Sequence, residues 1–164
     1  MAEATYFVGT TSSVAGANKH HLTLMNSGGS GRLMKIYRVM AAGAPTAAVA
    51  GLTISLSAFR TSTNPTGGTA LTIYEGATGQ SVMVARSAIG MTGATNALTL
   101  ETSPFGVGTV SGEEAIAGAA VMLYDFTISG IRPIEVAPGS GVTIRQGVLA
   151  AAGACNVSVL FSLA

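Results

Sequence analysis

The chain has few charged side chains. Charged residues are 9% of its 164 residues, against roughly 25% in ordinary soluble domains. Eight basic and seven acidic residues leave a formal net charge of +1, too weak and too scattered for a nucleic-acid-binding surface. Apolar residues nevertheless reach 48% and the mean hydropathy is +0.52. We therefore expect a surface of small polar residues that is partly covered by neighbouring subunits, and a homo-oligomer.

Long apolar segments are also missing. No run of 18 or more apolar residues occurs, so the sequence predicts no transmembrane helix and no membrane partner. Residues 1–6 contain neither a basic region nor an apolar core, and so do not predict a secretory signal. The single cysteine, Cys155, excludes an intrachain disulfide. Beside an alternating strand we expect it to be a small buried hydrophobe, since a nucleophilic role would need a nearby histidine and a polar setting.

The sequence lacks the usual arrangements of catalytic or metal-binding residues. His20 and His21 are adjacent, so in a strand their side chains point to opposite faces and do not bind one metal together. Glu113 and Glu114 stand in a Gly-rich stretch without the alternating oxygen ligands of a calcium loop. We therefore predict no enzyme, no metal and no cofactor.

Short alternating runs separated by Gly, Pro, Ser and Thr are the main feature that is present. No window carries a helical apolar period, and residues 119–128 favour a strand over a short helix because of their β-branched and aromatic content. The pattern predicts an all-β, antiparallel β-sandwich or jelly roll. Its predicted strands include 20–26, 32–40, 52–57, 70–74, 81–86, 131–136, 142–146 and 156–163.

Two glycine-rich turns organise this pattern. Residues 27–31 separate strands 20–26 and 32–40, which we predict to form a hairpin. Residues 137–141 contain Pro138, Gly139 and Gly141, and they separate the two alternating runs of the C-terminal third. The final run, with Val157, Val159, Phe161 and Leu163 on one side, predicts a C-terminus built into a sheet.

Residues 1–19 differ from the rest, because a Gly-, Thr-, Ser- and Ala-rich stretch follows Tyr6, Phe7 and Val8. We predict an N-terminal arm over 1–19 and a single β-sandwich domain over 20–164. The arm is either a frayed terminus or an extension that packs on a neighbouring subunit, with the two aromatics and Val8 as its anchor.

In a chain with so few charges, each arginine is expected to have a designated partner within or between subunits. The candidate partners are the acidic residues Glu75, Glu101, Asp125 and Glu135. The residues that we predict to lie at subunit interfaces are Tyr6, Phe7, Val8, Arg38, Arg60, Glu113, Glu114 and Arg145.

The layout resembles small structural proteins of tailed bacteriophages. Segments 22–36 and 134–146 carry the resemblance, together with the Thr-Gly-Gly-Thr-Ala-Leu-Thr sequence at 66–72. The resemblance implies a virion component made in the host cytoplasm, such as a capsid decoration (cement) protein or a tail or fibre subunit. Its implied partners are copies of itself, in a homo-oligomer that could be a trimer, and the major capsid protein or other virion proteins.

Three functions remain open from the sequence. A capsid decoration protein that stabilises the shell through subunit contacts is the leading hypothesis. A receptor- or glycan-binding module of a tail fibre is the first alternative, although the absence of Trp disfavours it. A self-assembling filament or tube subunit is the second.

Overall fold

A computed structural model describes residues 4–44, 52–63, 68–76, 88–92, 100–112, 120–129, 132–148 and 153–164. These residues form thirteen strands and one helical turn. The elements are β1 (Thr5–Gly9), β2 (Ser13–Val14), β3 (His20–Asn26), β4 (Met34–Ala44), β5 (Leu52–Thr61), β6 (Thr69–Leu71), β7 (Ile73–Glu75), β8 (Ala88–Thr92), β9 (Gly106–Gly112), β10 (Val121–Asp125), α1 (Phe126–Ser129), β11 (Ile134–Val136), β12 (Gly141–Gln146) and β13 (Ala154–Leu163). The expectation of an almost entirely β protein is confirmed.

The strands form two antiparallel sheets. Sheet A has the order β10-β4-β13-β1-β7, with β11 added to β4 and β2 added to β13. Sheet B has the order β6-β8-β3-β12-β5-β9. Every described strand pair is antiparallel. No two paired strands among those described are consecutive in the chain.

The core follows from strand alternation, which sends successive side chains to opposite faces. One apolar cluster draws side chains from both sheets, including Phe161 of β13 and Ile144 of β12, both fully buried. We call the face of each sheet that enters this cluster its core face, and the opposite face its outer face. The predicted inward row of the last strand is confirmed, since Val157, Val159, Phe161 and Leu163 are all buried.

The chain crosses between the sheets at both glycine-rich turns, so the prediction of a hairpin over 20–40 is wrong. β3 lies in sheet B while β4 lies in sheet A, and β11 and β12 are divided in the same way. A glycine-rich turn is compatible with either path, because it permits the reversal without specifying the strand that pairs next.

Hydrogen bonds from Asn26, whose side chain is fully buried, link the two crossings. Its Nδ2 donates to the carbonyl oxygens of Arg32, at 2.8 Å, and Val136, at 2.9 Å, and its Oδ1 accepts from the Ser30 hydroxyl at 2.7 Å. Its backbone N–H donates to the Ser140 carbonyl at 2.8 Å. One side chain thereby satisfies backbone groups that leave the sheet ladders at both turns.

Other boundaries differ in detail from the expectations. Segment 119–128 contains both predicted alternatives, because strand β10 runs directly into the α1 turn. Segment 70–74 is divided between β6 in sheet B and β7 in sheet A. The predicted strand over 81–86 lies outside the described residues.

The N-terminal arm is not confirmed. Thr5–Gly9 forms β1, an internal strand of sheet A that pairs with β13 on one side and β7 on the other. Val8 is fully buried in the apolar cluster. The first described strand is therefore a structural part of sheet A, because it pairs on both sides and contributes Val8 to the core.

Glycines allow the edges of the two sheets to meet. A Cβ at Gly106 of β9 would lie 2.2 Å from the backbone oxygen of Leu123 in β10. A Cβ at Gly108 would lie 2.5 Å from Val121 Cγ1. Such distances are far below van der Waals contact, so only glycine permits β9 and β10 to approach this closely.

We predict that Asn26→Ala lowers the free energy of unfolding by about 2–3 kcal/mol, because the buried contact with the Val136 carbonyl and the partly buried contact with the Arg32 carbonyl are both lost. Ser30→Ala removes a hydroxyl that donates to Asn26 Oδ1 and exchanges hydrogen bonds with the exposed Arg32 backbone, where water can replace it, and should cost about 1 kcal/mol or less. Denaturant unfolding of both variants measures the difference. Equal losses in the two variants would contradict a central role for Asn26.

We predict that Gly106→Ala lowers the free energy of unfolding by about 2 kcal/mol or more, because the new Cβ meets backbone that cannot rotate away. Gly29→Ala is the matched control, since no atom lies within 4 Å of its added Cβ. Thermal unfolding of the two variants tests this. A Gly106→Ala variant as stable as the control would refute the close packing of β9 on β10.

Candidate functional site

The outer face of sheet A carries a continuous row of large side chains. The strand registers place Tyr74, Phe7, Leu160, Arg38 and Asp125 side by side across β7, β1, β13, β4 and β10. A second row continues through Ser158, Met40 and Met122. We call these two rows the sheet A stripe. It crosses five adjacent strands on the side of the sheet that does not face the core.

The aromatic end of the stripe is exposed. Phe7 and Tyr74 are 41% and 36% exposed, and their rings stack with centroids 5.3 Å apart at an interplanar angle of 18°. Met122, at the other end, is 39% exposed. Exposed aromatics and methionine are enriched in the cores of protein interfaces. This composition distinguishes the stripe from an ordinary solvated sheet face.

Charges on this face occur in opposite pairs. Arg38 Nε lies 2.9 Å from Asp125 Oδ2, and Lys35 stands opposite Glu135 across β4 and β11. Hydrogen bonds from Thr127, assisted by Arg38, hold the pKa of Asp125 below its usual value. Asp125 is therefore ionised at neutral pH, and its charge is compensated by Arg38 on the same face.

The outer face of sheet B is chemically different. Strands β5 and β9 point Thr53, Ser55, Thr109 and Ser111 outward, in facing pairs. Val107, which is 64% exposed, is the large apolar exception on β9. Small hydroxyl side chains hydrogen-bond readily to water, so this part of sheet B suits solvent contact.

The structure brings only part of the predicted interface set together. Phe7 and Arg38 share the sheet A stripe, whereas Tyr6 and Val8 point to the core face, where the Tyr6 ring lies 5.6 Å from that of Phe161. Alternation along β1 explains this division, because three consecutive residues cannot all face outward.

The remaining predicted residues lie elsewhere. Arg60 Nε is 4.0 Å from Glu101 Oε2, beside a cavity of about 380 Å³ at the β11–β12 turn. Arg145, on sheet B, donates through Nη2 to Asn18 Oδ1, and its Nε is buried without a hydrogen-bond partner. Glu113 and Glu114 lie outside the described residues.

Sequence reasoning missed most of the stripe, including Tyr74, Leu160, Met40 and Met122. The sequence did offer an indication for Leu160, because it is the one apolar residue on the polar side of the alternating C-terminal run. An apolar residue at an outward position indicates a covered outer face. The other three could be assigned to that face only once the strand pairing was known.

A second cluster is buried beneath β2. His21 Nδ1 lies 2.9 Å from Ser13 Oγ and 3.6 Å from Cys155 Sγ. His21 Nε2 lies 3.2 Å from Gln146 Oε1, which also accepts from the Gly16 N–H at 2.8 Å. Because Gln146 offers an oxygen, Nε2 carries the proton and Nδ1 accepts from Ser13. The histidine that a reactive Cys155 would need is thus present.

The electrostatics of this cluster favour neutral groups. Burial raises the pKa of Cys155 to about 11, so the thiol stays protonated at neutral pH. Burial also lowers the pKa of His21 to about 4, so the imidazole is uncharged. A protonated thiol is a poor nucleophile, and the cluster joins β2, β3, β12 and β13 by hydrogen bonds. The expected burial of Cys155 is confirmed.

The two histidines separate as expected. His20 Nδ1 lies 2.9 Å from Thr143 Oγ1 on the outer face of sheet B, away from the His21 cluster. Burial and the nearby Arg145 lower the pKa of His20. Within the residues that the structure describes, no group of three or more His, Cys, Asp or Glu side chains is arranged to hold a metal ion.

Comparisons with protein-family models, curated proteins and solved structures found no match for this chain. In the described ranges, no helix has the length and apolar character needed to cross a bilayer.

We predict that acidification from pH 7 to pH 5 lowers the free energy of unfolding by about 2 kcal/mol through His21. Its pKa is about 4 when folded and 6.5 in the unfolded chain. The unfolded state therefore binds the proton first, and this stability is present above pH 6.5 and is lost as the pH falls towards 4. Nearby Lys19 and His20 oppose the added charge in the same direction.

Denaturant unfolding at pH 7 and pH 5 measures this loss. His21→Gln removes the titrating group, and its free energy of unfolding should depend less on pH over that interval. An identical pH dependence in the variant and the parent would contradict the assignment to His21.

Proposed function

We propose that this protein is a non-enzymatic structural subunit of a virion, which acts by burying the sheet A stripe against a neighbouring subunit. Its most specific form is a capsid decoration protein that stabilises the shell through these contacts. The resemblance to small structural proteins of tailed bacteriophages supports the virion setting, and the stripe supports the mode of action.

The proposal includes a finer description of the fold, a β-sandwich of the jelly-roll type. Two observations support it. A single apolar cluster draws side chains from both sheets, and the chain passes from one sheet to the other at 27–33 and at 137–140. Out-of-order antiparallel pairing with crossings between two sheets is a feature of double-sheet jelly rolls. Such a domain offers two broad outer faces for contacts.

The observation that carries the functional proposal is the contrast between the sheet A stripe and the outward side of β5 and β9 in sheet B. The chain has only nine Phe and Tyr residues, yet Phe7 and Tyr74 stand exposed and stacked on the outer face of sheet A. Strands β5 and β9 of sheet B expose hydroxyl side chains instead. Apolar area gains free energy when water leaves it, so the sheet A face is the one that benefits from a covering subunit.

We predict that Met122→Lys weakens binding to empty shells of the phage that encodes the chain at least tenfold, because it places an unpaired charge in the covered face. Ser111→Lys is the control, since it adds the same charge to an exposed position of β9 on the outer face of sheet B. Cosedimentation with shells gives both affinities. Absence of binding by the parent chain, or equal binding by both variants, would overturn the proposal.

A further inference from the structure

We propose that the partner that covers the sheet A stripe is a second copy of this chain, so that the protein forms a closed homo-oligomer before it meets any other component. This inference rests on the proposed structural role and names the partner of the same face. Three properties of the face support it, namely its charge, its size and its chemistry.

The charge of the stripe is balanced within one copy. Arg38 is paired with Asp125, whose side chain is only 3% exposed, and Lys35 faces Glu135 across the strands. Among the described residues, this face therefore carries no excess of either sign for a charged partner such as a nucleic acid or a strongly acidic or basic protein. An identical neutral face can approach it without the repulsion that like charges would cause.

The size of the face suits a stable contact. The five strands contain 34 residues, and at about 3.3 Å per residue and about 4.8 Å between strands they span roughly 540 Å². Stable protein interfaces of standard size bury about 800 Å² on each partner. The outer face of sheet A is smaller than this, but two copies packed face to face would together bury roughly 1,000 Å², which is about the lower bound for a specific interface.

The two stacked aromatic side chains lie near one end of the stripe. Phe7 lies between Tyr74 and Leu160 by strand register, and its ring is already held by stacking on Tyr74. A ring that is fixed before association loses little conformational entropy when it is buried. Phe7 and Tyr74 are therefore suited to anchor one end of such a contact.

The first test is the mass of the full chain by light scattering over a dilution series. The parent chain should be a discrete oligomer, and Phe7→Ser with Tyr74→Ser should raise its dissociation constant at least about 30-fold. Val107→Ser is the matched control, because it removes an exposed apolar side chain from sheet B and should leave the mass unchanged. A monomeric parent chain at about 100 µM, a concentration that holds any contact of micromolar affinity together, would overturn the inference.

A second measurement does not depend on how well the double variant folds. Ser158→Cys places a thiol on the outer face of sheet A, and Ser55→Cys places one on the outer face of sheet B, at two exposed positions. The native Cys155 is fully buried. Maleimide labelling of Ser158→Cys should slow at least tenfold on going from dilute to concentrated protein, while Ser55→Cys should not change. Equal labelling of both at all concentrations would overturn the inference.

The outcomes separate this inference from the proposed function. A chain that is monomeric alone but binds shells through the stripe would refute self-association and leave the structural role standing. A chain that forms oligomers through the stripe but never binds shells would support the inference and refute the decoration role.

Discussion

The hydrogen bonds of the Asn26 side chain connect the two sheets at the place where the chain twice crosses between them. Residues 27–33 and 137–140 each connect a strand of one sheet to a strand of the other. Asn26 donates to the Arg32 carbonyl in the first connection and to the Val136 carbonyl at the end of β11, and it accepts from the Ser30 hydroxyl. Because β4 and β12 begin directly after these crossings, the position of Asn26 helps to set the register of the central strands in both sheets. The division between core face and outer face then follows from that register.

Once the register is set, a single residue step decides which side chains meet solvent. On β1, Tyr6 and Val8 enter the core while Phe7 joins the sheet A stripe. A bulge in β4 and another in β10 keep the pattern continuous, since Arg38 stays opposite both Leu160 and Asp125 despite the extra residues. The stripe is therefore a property of five strands acting together. Its composition cannot be assigned to any one segment of the chain.

Strand alternation explains why much of the fold was predictable. β3, β5, β12 and β13 were all expected near their observed positions, because each alternates apolar and polar residues between Gly-rich segments. The partner of each strand could not be predicted from this alternation. Two alternating runs around a glycine-rich turn are compatible with both a hairpin and a crossing between sheets. Only tertiary contacts such as those of Asn26 favour the crossing. The stripe depends on pairing, so of its two rows the sequence analysis identified only Phe7 and Arg38 as interface residues.

The small number of charged residues also has a structural consequence. Arg38 and Asp125 lie within the sheet A stripe, where removing an unpaired charge from water would cost free energy. Pairing them across adjacent strands of one copy removes that obstacle without requiring a partner to supply the opposite charge. The neutral His21 and Cys155 follow the same principle inside the molecule, where burial suppresses their ionised forms. In both places the chain keeps its polar groups compensated internally, and the outer face of sheet A is left able to exchange water for another protein surface.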